Sequence, residues 1–130
     1  MTALLDTNIL IRHLTNDPPK MAARATAFLT DADQLLLADL IVAETIYVLE
    51  SVYDVPAHRV AELMRSIITF PTIHTTDENL LLRSIEVYEI HGIDYAEAYL
   101  VASAERSGVE HIVSFDRTLD RVPTVTRIEP

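Results

Sequence analysis

The sequence has no cysteine, two glycines and a single lysine, Lys20. Without cysteine it has no disulfide framework and no thiolate metal site. Two glycines, Gly92 and Gly108, cannot build a glycine-rich phosphate loop, which removes P-loop and dinucleotide-binding readings. Both stand where a helix should stop. No apolar run reaches the ~18 residues needed to span a bilayer. The opening MTALLDTNIL has no basic segment and carries an acid at position 6, unlike a signal or transit peptide. Together these absences predict a soluble, cytoplasmic protein.

What is present is a chain of 130 residues, 49% hydrophobic, which predicts a single domain over residues 1–130 with a real core. Twenty acidic residues against ten basic ones give a formal net charge of −10. That balance argues against a nucleic-acid binder, since phosphate backbones attract basic surfaces. Net charge describes average association, however, and carboxylates filled by divalent cations reverse the local sign. An acidic surface also suits a basic protein partner. Nine of the ten basic residues are arginine, so phosphate contacts would fall to Arg.

Short apolar runs alternate with helical patterns, with no repeat and no linker. Strands are expected at Ala3–Leu5, Gln34–Ala38, Thr72–Thr75, His111–Phe115 and Thr124–Ile128. Helices are expected at Thr7–Leu14, Lys20–Leu29, Leu40–Tyr53 with Asp39 as its cap, Pro56–Thr69, Asp77–His91 and from Asp94 to Gly108. The order predicts an α/β fold, a three-layer α/β/α arrangement with a central parallel sheet of about four to five strands. Working sites in such folds lie beyond the carboxyl ends of the strands. Asp6 and Asp116 stand there.

Five acids compete between plain and chemical roles. Asp6 and Asp116 are good helix or turn caps as well as strand-end ligands. Glu44 has Leu40, Ile41, Tyr47 and Val48 as its helical neighbours, which predicts an acid on the buried stripe. A buried carboxylate must be paired, protonated or metal-linked. Asp94 and Glu97 have the D-x-x-E spacing of a capping box, yet lie one turn apart and can face the same ion. Asp120 reads as a surface or turn residue. Four carboxylate positions at one rim would repel one another unless Mg²⁺ or Mn²⁺ bound there.

At these residues the sequence resembles the PIN-domain family, and within it the VapC toxins of bacterial VapBC toxin–antitoxin pairs. The resemblance covers essentially the whole chain. Its pieces are Leu5-Asp6-Thr7-Asn8, Ala43-Glu44, Tyr95-Ala96-Glu97-Ala98 and Ser114-Phe115-Asp116-Arg117, four motifs in family order. The family's third acid is usually Asp, where this chain has the longer Glu97. The resemblance implies a PIN-like fold and a metal-dependent endoribonuclease leaving 5′-phosphate and 3′-hydroxyl ends. It implies one or two Mg²⁺ or Mn²⁺ ions held by Asp6, Asp94 or Glu97, and Asp116. Glu44 would position or deprotonate the attacking water, and Asn8 and Ser114 would orient the ligands. RNA would be the substrate, a VapB-like antitoxin the partner and a homodimer the assembly.

Other classes fit less well. A haloacid dehalogenase-type phosphatase needs a second Asp two residues after the first, where this chain has Asn8, and Lys20 lies in the wrong context for its lysine. A receiver domain needs paired opening acids and a late lysine. A degenerate module that binds RNA or a protein without cleavage is the alternative, and against it every acidic position remains acidic. Arg12 and His13 could touch an RNA backbone or form a solvated helix end.

Overall fold

Each short apolar run becomes a strand, and each pair of adjacent strands is parallel. A parallel connection needs a crossover long enough to return the chain to the same end of the sheet, and helices supply it here. The computed structural model describes residues 1–130. It forms two compact units, Met1–Glu78 and Asn79–Pro130.

The first unit holds β1 (Thr2–Leu4), α1 (Thr7–Thr15), α2 (Pro19–Asp31), β2 (Gln34–Leu36), α3 (Asp39–Ser51), α4 (Ala57–Ile68) and β3 (Ile73–His74). The strands lie in the order β1-β2-β3, with Ala3 opposite Leu35 and Leu35 opposite Ile73. Backbone bonds from Leu5 N–H to the Leu36 carbonyl and from Leu37 N–H to the His74 carbonyl carry the ladder past the strand ends. Helix α1 packs on α2 and α3, α3 on α4, and α4 on β3. Leu10, Leu29, Leu35, Leu37, Ile46 and Leu49 are among its fully buried side chains. Asn16 ends α1 in the left-handed region, its N–H bonded to the Arg12 carbonyl. Pro18 and Pro19 then start α2, where a missing N–H costs nothing.

The second unit holds most of α5 (Glu78–His91), then α6 (Tyr95–Ser107), β4 (His111–Val113), a 3-10 helix (Arg117–Arg121) and β5 (Thr126–Ile128). Strands β4 and β5 pair with Ile112 opposite Arg127. Leu81, Ile85, Val87, Val101 and Leu119 are buried. Inside the apolar contact, Ser84 Oγ and the Tyr95 hydroxyl meet at 2.8 Å, so each satisfies the other. At the rim, Arg83 grips both carboxylate oxygens of Glu105 at 2.8 and 2.9 Å. Gly108 ends α6 at φ 70°, a conformation that any Cβ would oppose.

The α/β class and the parallel pairing are as the sequence predicts. The strands divide as three in the first unit and two in the second. The first strand is as long as its apolar run but begins one residue earlier, at Thr2, and the other four are shorter than theirs. Asp39 lies inside the first turn of α3, with Ala38 at the cap position. No helix is long and apolar enough to cross a membrane.

One expectation is overturned on α3. Glu44 is exposed, and so are its neighbours Leu40 (75%) and Tyr47 (68%). The helix is apolar around most of its circumference, so the sequence offers two stripes. The one that packs is Val42, Thr45, Ile46 and Leu49, at the i, i+3, i+4, i+7 spacing of a core face. Thr45 joins it at little cost because its hydroxyl donates to the Ile41 carbonyl at 2.7 Å. Leu49→Ala is therefore expected to lower unfolding stability by about 2–5 kcal/mol. Leu40→Ala should stay within about 0.5 kcal/mol. Urea denaturation of the two variants checks the assignment of faces.

Candidate active site

Asp6 lies two positions after the end of β1 and caps α1. Its Oδ1 accepts from the Thr7 N–H at 2.8 Å, and no protein group bonds Oδ2. Beside it the Thr7 hydroxyl is buried without a hydrogen-bond partner. Asn8 is exposed on the first turn of α1 and lines a cleft of about 330 Å³ with Ile9, Arg12, Met21, Arg24 and Phe28. None of the candidate acids lines that cleft. His13 is not a solvated helix end: it is half-buried, its Nδ1 lies 2.8 Å from Thr26 Oγ1, and its ring meets Phe70 edge-on. Burial pushes its pKa down. Arg12 donates to the Asp17 carbonyl.

Asp116 repeats the Asp6 arrangement in the second unit. It follows β4 closely and caps the 3-10 helix, with Oδ1 accepting from both the N–H and the hydroxyl of Thr118 at 2.9 and 2.7 Å. Its own N–H donates to Ser114 Oγ at 2.9 Å. The Thr118 hydroxyl, then the Thr118 N–H, hold the Asp116 carboxyl below its usual range, and the charges of Arg121 and Arg127 add to this. Its Oδ2 has no protein partner. The plain reading of both aspartates as caps is thus correct, and it leaves one oxygen of each available.

Asp94 and Glu97 share the start of α6. Asp94 occupies the cap position but makes no side-chain cap bond, so the D-x-x-E spacing does not close a capping box. Glu97 is half-buried between the small residues Ala96 and Ala98. Glu44, in the first unit, is exposed on α3. Asp120, expected on the surface, is exposed and forms an ion pair with Arg127.

The carboxylates are hard oxygen donors of the kind Mg²⁺ and Mn²⁺ prefer, and Asp6 and Asp116 are already oriented through their other oxygen. That donor chemistry fits a divalent cation. No group of three or more His, Cys, Asp or Glu side chains is gathered closely enough to hold an ion. Thr118 and Arg127 escaped the sequence reading. Asp-x-Thr is a turn pattern that could have flagged Thr118, whereas nothing local marks Arg127.

Parallel strands joined by helices and followed by acids define an α/β protein of the kind that works beyond its strand ends. The chain belongs to the PIN domain family, whose model matches residues 3–125 and so runs through both units. Proteins of this family are generally nucleases and generally use divalent metal ions. Among solved structures, VapBC2 from Rickettsia felis bound to a DNA fragment from its promoter is similar at 14% identity, over 99% of this chain and 98% of that one, with a TM-score of 0.39. No curated protein matches the chain.

A depressed pKa in the folded state contributes stability above the ordinary carboxylate range, and this is lost as pH falls through the depressed value. Thr118→Val removes the largest cause of the Asp116 shift. Its Asp116 carboxyl should titrate at higher pH than the wild-type group by carbon-detected NMR. The stability gap between the two proteins should close in acid.

Proposed function

We propose that this chain is a Mg²⁺- or Mn²⁺-dependent endoribonuclease and the toxin of a VapBC-type pair, acting over residues 1–130 as a single PIN domain. The observation that carries the reading is the repeated treatment of Asp6 and Asp116. Each follows a parallel strand, is anchored through Oδ1, and has Oδ2 without a protein partner. A cap alone needs one oxygen.

Asp6, Asp116 and the first turn of α6, through Asp94 and Glu97, would hold one or two ions. When bound, such ions supply a more acidic water and offset charge on phosphate oxygens. Ser114 holds the Asp116 backbone through its hydroxyl, and Asn8 offers an amide two residues from Asp6. Glu44 orients the attacking water and takes its proton on a carboxylate oxygen. Water oxygen would bond to phosphorus as the bond to the 3′ oxygen breaks, and the departing 3′ oxygen would take a proton from solvent water, leaving 5′-phosphate and 3′-hydroxyl ends. A VapB-like antitoxin is the partner, a homodimer the working assembly and the cytoplasm the compartment.

The test is cleavage of total RNA by the purified chain. Mg²⁺ or Mn²⁺ should support cutting and EDTA should abolish it. Glu44→Gln and Asp116→Asn should each lower the rate by about 10²-fold or more, the scale of losing a proton acceptor or a metal ligand. RNA that stays intact with either metal would favour the degenerate binding module.

A further inference from the structure

Arg127 lies on β5 and is the most heavily bonded cation near Asp116. Its side chain is only 12% exposed. Nε and Nη2 donate to the two carboxylate oxygens of Asp120 at 3.0 and 3.1 Å. Nη1 donates to the Ser114 carbonyl at 3.0 Å and to Glu129 Oε1 at 2.9 Å. One planar group therefore ties a residue two before Asp116 to a residue four after it. Backbone bonds hold each side of this loop separately, from the Ser114 N–H to the Ile128 carbonyl at 3.0 Å and from the Leu119 N–H to the Asp116 carbonyl at 3.3 Å, and the guanidinium joins the two sides. Between the two clamped points, Ser114 and Thr118 set the aspartate itself.

A surface ion pair alone stabilises little. What separates Arg127 from one is the fork geometry. A guanidinium reaches a carboxylate with two parallel N–H groups and still has a third nitrogen for the Ser114 carbonyl. A lysine ammonium at the same place would keep the charge but could not span those acceptors in one plane.

We propose that Arg127 is a positioning residue for Asp116: it locks the Ser114–Asp120 loop so that Oδ1 stays on Thr118 and Oδ2 remains presented as a ligand atom. The proposal rests on the nuclease reading for what Oδ2 binds, but not for the clamp itself.

Two measurements on Arg127→Lys, Arg127→Gln and the control Glu129→Gln separate these parts. The first is amide hydrogen exchange at Asp116 and Thr118 in metal-free protein. Both arginine variants should exchange about 10-fold faster there, while amides of α5 and α6 and the thermal midpoint barely change. The second is calorimetric titration with Mn²⁺. Both arginine variants should bind about 10-fold more weakly, the scale seen when a group orienting a metal ligand is removed. Glu129→Gln should match wild type in both. Wild-type exchange and Mn²⁺ affinity in Arg127→Gln would overturn the proposal, as would full rescue by Arg127→Lys, which would make charge alone sufficient. Should Arg127→Gln fail to fold, Arg127→Lys together with Asp120→Asn gives the same reading. A wild-type chain that binds no Mn²⁺ defeats the nuclease reading, and the exchange data still decide the clamp.

Discussion

Where a strand stops and a helix begins, the first N–H groups of the helix have no carbonyl to meet. A carboxylate just before the helix can accept one of those hydrogens, and in doing so it is fixed in direction. Asp6 and Asp116 both do this. The same bond that satisfies the backbone orients the second oxygen, so the capping oxygen and the unpartnered oxygen are two ends of one carboxylate. Parallel strand pairing fixes where those junctions lie, and buried residues such as Leu10 and Leu119 hold the helices that need capping.

Charge follows from the same constraint. A chain of net charge −10 must offset its acids somewhere. In the second unit three arginines are committed internally. Arg83 pairs with Glu105, Arg121 donates to the His91 and Gly92 carbonyls, and Arg127 clamps the loop around Asp116. Hydrogen bonds from Arg83, and to a lesser degree from Thr124, keep Glu105 ionised below its usual range. The candidate ligands Asp6, Asp94, Glu97 and Asp116 take no such direct arginine partner. A divalent cation is the counter-charge that their oxygens suit.

Local signals carried much of this in the sequence. Gly108 stops α6, the prolines at positions 18 and 19 start α2, and Asp6 and Asp116 follow short apolar runs, all readable without coordinates. The face of α3 was not readable. With apolar residues on nearly every side, periodicity could not choose between the stripe flanking Glu44 and the stripe of Val42, Thr45, Ile46 and Leu49. Packing against α1 and α4 made the choice. Glu44 consequently draws its candidacy from its motif and its lack of a partner, and burial does not force it. Asp94 and Glu97 posed the reverse problem, since their spacing promised a capping box that does not form. Arg127 was invisible because its role depends on pairing between β4 and β5, a contact with no local signature.

Whether the capping aspartates also bind a metal is reported directly by paramagnetic Mn²⁺. Substoichiometric Mn²⁺ added to isotope-labelled protein broadens amide signals close to the bound ion. Ligation by these carboxylates should give selective loss at residues 6–8, 94–98 and 114–118, reversed by EDTA. Broadening spread over exposed acids such as Asp31, Asp33 and Asp54, with those three segments spared, would contradict it.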